Sequence, residues 1–214
     1  MGHFYIVRHG ETVFNAAGRM QGATPHTPLT RAGFAQADAM GAALRRELGP
    51  RPALELWASP AGRALQTLAV IAEHLELDWH AAQIDARLAE IDIGAWSGRY
   101  YREVTAEAGA IRDARSNLFS CRPPGGEWYD EIAARMRSWL DSLPERSSPR
   151  LVVTHEISSR VLRGLLTGAP ARPEYGAPIA DPLPQGSIVS IAGGQEKVVH
   201  RGALAAPSPP AVPT

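Results

Sequence analysis

Cysteine is nearly absent from this sequence, because Cys121 is the single thiol among 214 residues. One thiol cannot form an intrachain disulfide, so we expect a fold that does not depend on oxidising surroundings. No apolar run is long enough to span a bilayer, and the first residues lack the basic segment and long apolar stretch of a secretory signal. Ile6 stands where a myristoylation signal requires Ser or Thr. These absences predict a cytoplasmic protein without a membrane partner.

An excess of either charge is also missing. The chain has 22 Lys and Arg residues against 22 Asp and Glu residues, without a basic block. This balance argues against nucleic acid or anionic lipid as the main partner. A length of 214 residues, 44% of them apolar, suits one compact domain. Without an internal repeat or linker, we expect a single domain over residues 1–202. Residues 203–214 form a proline-rich tail that is expected to be disordered.

Apolar runs alternate with helical patterns along the chain. Strands are predicted at residues 3–7, 54–58 and 150–154, with a strand-like stretch at 84–96. Helices are predicted at 30–48, 59–75, 126–143 and 157–168, and a hairpin at 186–201. Thr30 and Ser59 are the expected N-caps of the first two helices, and Phe34 is expected on the inward face of the first. The alternation predicts an α/β fold, a three-layer α/β/α sandwich with a mainly parallel sheet.

Two of the predicted strands end in a histidine. "IVRHG" places His9, and "VVTHE" places His155, directly after an apolar run. In open α/β sheets ligands bind beyond the carboxyl ends of the strands, so the two rings are expected to share one crevice.

The residues around these histidines suit a phosphate group. Arg8 and Arg63 could supply the planar, bidentate donors that phosphate oxygens prefer, and Arg63 is expected in the first turn of a helix. Neutral imidazole can attack phosphorus, and a nearby carboxylic acid such as Glu90 could protonate the leaving oxygen.

Six separated motifs resemble the histidine phosphatase superfamily, also called phosphoglycerate-mutase-like. They cover most of residues 4–166: "RHGET" with Asn15 and "GRMQG", "PLTRAGFAQA", "SPAGRALQT", "LAEIDIGAWSG", "PPGGEWYDEIAARM" and "VVTHE". The resemblance implies that His9 is the nucleophile that becomes phosphohistidine. It implies that Arg8, Arg63 and His155 neutralise the phosphoryl oxygens, and that Glu90 donates a proton to the leaving group and later activates water.

The same resemblance implies the remaining contacts of the substrate. Asn15 and Gln21 would support it, and backbone amides near Gly22 would touch phosphate. The family needs no metal or other cofactor, and the predicted pocket offers no cluster of carboxylates to hold Mg²⁺.

Two residues depart from the family pattern. Glu156 follows the second histidine where the family usually has glycine, and it could repel the substrate or turn away along the next helix; the second orientation is favoured. His26 replaces an acidic residue before "PLT", which is expected to affect the rim of the pocket.

The leading hypothesis is a histidine acid-type phosphatase, a phosphomonoesterase that hydrolyses a small phosphorylated metabolite. A cofactor-dependent phosphoglycerate mutase and a non-catalytic protein that binds phosphorylated ligands are the alternatives. The sequence leaves open whether the chain forms a homodimer. Mutases of the family cover the cleft with an extended segment, whereas residues 99–122 suffice for a helix and a turn.

Overall fold

The computed structural model of the protein describes residues 2–145 and 148–202. The predicted tail at 203–214 lies outside the described residues. Strands in these ranges are β1 Phe4–Arg8, β2 Glu55–Ala58, β3 Gln83–Ile84, β4 Arg150–Thr154, β5 Ala171–Arg172, β6 Ala177–Pro178, β7 Ile188–Ala192 and β8 Gln195–His200. The α-helices are α1 Val13–Ala16, α2 Arg31–Leu48, α3 Gly62–Leu75, α4 Tyr101–Ala108, α5 Tyr129–Ser142 and α6 Glu156–Leu166.

Six strands form one sheet in the order β3-β2-β4-β1-β7-β8, and β5 pairs with β6 in a separate ribbon. The first four strands of the sheet run parallel, whereas β7 is antiparallel to β1 and β8 to β7. In the register of β1 and β4, Arg8 lies opposite Thr154. The residues that follow them, His9 and His155, therefore leave the sheet side by side, as the sequence predicted.

Helices cover both faces of the sheet because successive strand side chains point to opposite faces. Tyr5 and Val7 of β1 are buried in the core that α2 and α3 complete. Phe4 and Ile6 are buried in the second core, which is built with α5 and α6. The predicted three-layer α/β/α sandwich is confirmed. None of the helices in the described ranges combines the length and apolarity that crossing a membrane requires.

Two details of the predicted helices are wrong. Phe34 is 42% exposed, so it lies outside the inward stripe of α2. Ser59 is not the N-cap of α3, which begins at Gly62 after Ala61. The Ser59 backbone N–H instead donates to Val153 O at 3.0 Å and extends the β2–β4 ladder. The hydrogen bonding between the two strands therefore continues one residue beyond the end of β2.

The stretch 84–96 was expected to resemble a strand, and this is also wrong. After β3 it forms short 3₁₀ turns at Ala86–Leu88 and Gly94–Trp96. Leu88, Ile91, Ile93 and Trp96 are buried in the core beneath α5 and α6, which accounts for their strand-like spacing. Because no neighbouring strand in the described ranges pairs with residues 85–96, this stretch is a loop with short 3₁₀ turns, and it carries Glu90.

Candidate active site

The candidate site lies where β1 and β4 end. The His9 backbone N–H donates to Thr154 O at 3.1 Å, which holds the two strand ends together. The rings of His9 and His155 have their centroids 5.1 Å apart and meet at 67°. Both side chains are buried, so the two rings form the floor of the site.

His9 is held in one tautomer. Its Nδ1 lies 2.6 Å from Gly10 O, and because a carbonyl only accepts, Nδ1 must carry the hydrogen. Nε2 therefore keeps its lone pair. Burial, the Arg63 cation and, less strongly, Arg8 hold the His9 pKa well below its ordinary value of 6.5, although the bond to Gly10 opposes them. His9 is consequently neutral at pH 7 and can act as a nucleophile.

The loop after His9 is fixed by close backbone packing. A Cβ on Gly10 would lie 2.3 Å from Gly33 O, so only glycine allows the loop to rest on the start of α2. The Gly10 N–H donates to Thr67 Oγ1 at 3.2 Å, and Gly10 O also accepts from Gln185 Nε2 at 3.0 Å. The carbonyl that orients His9 is thus itself anchored.

Arg63 lies in the first turn of α3, as predicted, and is fully buried. Its Nη1 donates to Thr24 O at 2.7 Å and Thr27 Oγ1 at 2.8 Å, and its Nη2 to Gly22 O at 2.8 Å. Burial lowers the pKa of Arg63 to about 10, with Glu90 opposing the shift, so the guanidinium stays charged at pH 7. Arg63 therefore places a rigid cation beside His9 and fixes the loop at Gly22.

Gly22 needs its small size and its backbone conformation. Its φ is +46°, and an added Cβ would lie 2.5 Å from Ile93 Cγ1 and 3.0 Å from Ile91 O. A side chain here would push the loop away from the glutamate-bearing segment.

His155 adopts the opposite tautomer to His9. Its Nδ1 accepts from Arg63 Nε at 3.2 Å, so Nε2 carries the hydrogen and donates to Ser59 Oγ at 2.7 Å. Burial, Arg63 and His9 hold its pKa well below 6.5, which makes it neutral as well. Since both ring nitrogens already have partners, contact with a phosphoryl oxygen requires one of these bonds to open.

Glu90 lies at the start of α6. Its carboxylate accepts backbone N–H bonds from Ile91 at 3.0 Å, Ile157 at 3.2 Å and Ser158 at 3.0 Å. Two of these donors belong to the first turn of α6, where the helix dipole favours an anion. The three bonds hold the carboxylate in place, and Glu90 lines the cleft described below.

Asn15 and Gln21 belong to one amide network. Asn15 Oδ1 lies within 3.3 Å of donors on Thr12, Gln21 and Gln185, and Gln21 Oε1 lies 2.9 Å from Thr12 Oγ1. With its oxygen occupied, Asn15 has its amide nitrogen left to donate into the cleft. The sequence did not identify Thr12, which bonds residues three and nine positions away, or Gln185, whose partner Asn15 lies 170 positions away in the chain.

Five predicted residues line one cleft: Arg8, Asn15, Gln21, Gly22 and Glu90. His9, Arg63 and His155 are buried and are not among the residues that line it. His26 is exposed and is not among the residues that line the cleft, and its expected effect on the rim stays a prediction. The cleft is completed by residues that the sequence did not identify as contributors, namely Arg19, Ile91, Ile93, Tyr101, Arg112, Phe119 and Ile157. Most of these residues lie before Glu90 or after Gly98 in the chain. No local sequence pattern there marks them as binding residues.

Glu156 faces this cleft, so the expectation that it turns away along α6 is wrong. Its Oε2 accepts from Arg8 Nη2 at 3.1 Å. The second Arg8 nitrogen, Nη1, donates to Leu183 O at 3.2 Å. The attraction to Arg8 outweighs the outward direction of the helix and keeps the carboxylate beside the phosphate-binding candidates.

Metal ligands do not gather in this cleft. Within residues 2–145 and 148–202, no group of three or more His, Cys, Asp or Glu side chains could hold a metal ion. The polar groups that converge instead are guanidinium, imidazole, amide and isolated carboxylate groups, which suit an anion.

Residues 4–202 match the model of the histidine phosphatase superfamily, branch 1. The "Probable phosphoglycerate mutase GpmB" of Erwinia tasmaniensis is 37% identical over 174 residues, which are 79% of this chain and 77% of that protein. The 6-phosphofructo-2-kinase/fructose-2,6-bisphosphatase of Caenorhabditis elegans is 33% identical over 87% of this chain, and the match spans only 38% of that longer protein.

Solved structures show the same fold. A mycobacterial glucosyl-3-phosphoglycerate phosphatase, in complex with VO3, is 25% identical with a TM-score of 0.72 and covers 92% of this chain and 96% of its own. A putative alpha-ribazole-5'-P phosphatase from Escherichia coli is 24% identical with a TM-score of 0.70 over 96% of this chain and 98% of its own, and it supports the fold alone.

Proposed function

The chain belongs to the histidine phosphatase superfamily, and from this premise we propose that it is a metal-independent phosphomonoesterase that hydrolyses a small phosphorylated metabolite through phosphohistidine on His9. One observation carries the proposal. The Gly10 carbonyl holds the hydrogen of His9 on Nδ1, and this leaves a free lone pair on Nε2 beside the Arg63 cation.

In the first step, His9 Nε2 forms a bond to phosphorus while the bond from phosphorus to the ester oxygen breaks. The leaving oxygen takes a proton from the Glu90 carboxyl group and departs as an alcohol. The bond between His9 Nδ1 and Gly10 O persists and stabilises the positive charge that develops on the ring.

In the second step, Glu90 takes a proton from a water molecule whose oxygen attacks the phosphorus. The bond between phosphorus and Nε2 breaks, and its electron pair returns to the ring. Inorganic phosphate leaves, and His9 is again neutral. Because Glu90 is fixed by three backbone donors, the same carboxyl group can act at one position in both steps.

The charges of the site suit a phosphate monoester, which carries about −1.5 to −2 charges at pH 7. Arg63 is buried, charged and held by four hydrogen bonds, so it offers a preorganised cation. Arg8 lines the cleft that Glu90 also lines. Fixed cations of this kind stabilise a charged transition state without having to reorganise. Such electrostatic stabilisation is the largest contribution to the rate enhancement of many enzymes.

Phosphoglycerate mutase activity is the second candidate function. It is supported by the 37% identical relative from Erwinia tasmaniensis, which is named a probable phosphoglycerate mutase. In this chain the segment after Gly98 forms α4 and a loop, and it supplies Tyr101, Arg112 and Phe119 as one wall of the cleft. Because this segment is short, we expect water to reach the phosphohistidine, and this favours hydrolysis over transfer. The residues proposed as nucleophile, cations and acid are all present, which argues against the non-catalytic alternative.

The proposal is tested by measuring phosphate release from p-nitrophenyl phosphate and a panel of phosphorylated metabolites with purified protein. Rapid quenching should trap an acid-labile, base-stable phosphoprotein. His9→Ala should abolish both signals, whereas His80→Ala, which alters an exposed histidine, should change neither. Phosphate found on serine or aspartate, or normal turnover by His9→Ala, would overturn the assignment.

A further inference from the structure

Glu156 is an acidic side chain in a cleft that is otherwise arranged for anions. Three arginines line the cleft, Arg8, Arg19 and Arg112, and two glutamates, Glu90 and Glu156. Counting formal charges of these five residues gives +3 and −2, a net of +1, which would become +2 without Glu156. The Glu156 carboxylate therefore offsets one of the three positive charges that a substrate meets outside the buried Arg63 site.

The contacts of Glu156 show which cations it neutralises. Its Oε2 accepts from Arg8 Nη2 at 3.1 Å, and its Oε1 accepts from Asn117 Nδ2 at 2.9 Å and lies 3.9 Å from Arg112 Nη1. Although burial opposes ionisation, Arg8, Arg112 and Arg160 hold the pKa of Glu156 below its ordinary value. Glu156 is therefore an anion at pH 7 and is shared between two cleft arginines.

Glu156 and Glu90 line the same cleft. Glu90, the proposed proton donor, accepts a bond from the N–H of Ile157, which is the neighbour of Glu156 in the chain. A substrate whose leaving oxygen reaches Glu90 therefore occupies the cleft that Glu156 also lines. A carboxylate has about four acceptor positions, and three donors surround this one within 3.9 Å, so it can still accept from a substrate hydroxyl.

We propose that Glu156 is a specificity-determining residue that selects phosphate monoesters with an uncharged, hydroxyl-bearing leaving group and disfavours those with a second anionic group. The proposal rests on the proposed phosphatase function. A hydroxyl gains an acceptor in Glu156, whereas a carboxylate or second phosphate meets a like charge and finds Arg8 and Arg112 already partly neutralised.

Two esters with the same carbon skeleton test this directly. Glycerol 3-phosphate and 3-phosphoglycerate share the primary phosphate ester and the neighbouring hydroxyl, and they differ in a hydroxymethyl group against a carboxylate. The wild-type protein should favour glycerol 3-phosphate in kcat/KM. Glu156→Gln should shift the ratio of the two kcat/KM values toward 3-phosphoglycerate by about tenfold, equivalent to about 1.4 kcal/mol, mainly through KM.

Glu196→Gln is the matched control. Glu196, in β8, forms an ion pair at 2.6 Å with Arg163, which belongs to the same helix as Glu156. Glu196 does not line the cleft. Its replacement therefore removes one negative charge outside the cleft and should leave the ratio of the two kcat/KM values unchanged. As a measurement without any variant, raising the salt concentration should narrow the preference of the wild-type protein, because screening weakens repulsion between charges.

The outcomes separate two failures. A ratio that is the same in wild type and Glu156→Gln, with both rates lowered equally, would mean that Glu156 only positions Arg8, and would overturn this inference alone. A wild-type preference for 3-phosphoglycerate would overturn it too. If the wild-type protein released phosphate from neither ester nor from p-nitrophenyl phosphate, the proposed function itself would fail, and this inference with it.

Discussion

Acidification should destabilise this protein through the two histidines of the site. Burial and the nearby cations hold the pKa values of His9 and His155 well below 6.5, so the folded protein keeps both rings neutral where the unfolded chain protonates them. Below about pH 6.5 the unfolded state therefore binds more protons, and stability falls as the pH falls. Each ring contributes a slope of up to about 1.4 kcal/mol per pH unit. Between about pH 7.5 and pH 5.5, the two together should cost up to about 2.7 kcal/mol of unfolding free energy.

Urea unfolding at a series of pH values in this window measures the effect. Carboxyl groups whose pKa is lowered, such as Glu156, lose their contribution only as the pH falls below about 4.5, so they do not interfere. His9→Gln and His155→Gln should each remove about half of the slope. His200→Gln is a necessary comparison, because partial burial also lowers the pKa of His200.

The expected loss depends on both rings staying neutral in the folded protein. A free energy of unfolding that is constant from about pH 7.5 to pH 5.5 would show that the rings take up protons while folded. The account of His9 as a neutral, ready nucleophile would then be refuted. An unchanged slope in both histidine variants would refute it equally, since the protons would be binding elsewhere.

Three further predictions concern the reaction. Glu90→Gln should lower kcat for alkyl and sugar phosphates about 10²–10³-fold but for p-nitrophenyl phosphate less than about tenfold, because only a basic alkoxide needs the proton; equal losses on both would assign Glu90 a structural role as the cap of α6. Prolonged chelation should leave kcat unchanged, and a loss that Mg²⁺ or Zn²⁺ reverses would contradict metal independence. With 3-phosphoglycerate and a trace of its bisphosphate, inorganic phosphate should accumulate faster than 2-phosphoglycerate, and the opposite order would favour the mutase.

The sequence predicted the layers and the position of the site because these follow from local patterns. An apolar run that ends in histidine specifies a strand and the residue beyond it, and parallel pairing then brings the two ends together at Arg8 and Thr154. Helical spacing placed Arg63 in the first turn of α3. The same patterns assigned Ser59 wrongly as an N-cap, although its N–H bonds a neighbouring strand. They also predicted a strand at 84–96, because buried residues can have the spacing of a strand without a neighbouring strand to pair with.

Hydrogen-bond partners, by contrast, were decided by tertiary structure. Asn15 is oriented by Gln185, which lies 170 positions away, and His155 by Ser59, which lies 96 positions away. No periodicity in one segment specifies such partners. The direction of Glu156 is the clearest case: helix geometry alone allows the side chain to point away, but Arg8 and Asn117 from distant segments turn it into the cleft.

The sequence by itself therefore predicted an anion site with a histidine nucleophile candidate at the end of β1, because backbone pattern and residue type are local properties. Only the folded structure decided which nitrogen of His9 is free and how the charge of the cleft is balanced. Both depend on the close approach of groups from separate segments, such as Gly10 O against His9 Nδ1 and Glu156 against Arg8. Electrostatic and hydrogen-bond energies vary steeply with such distances, and packing alone sets them.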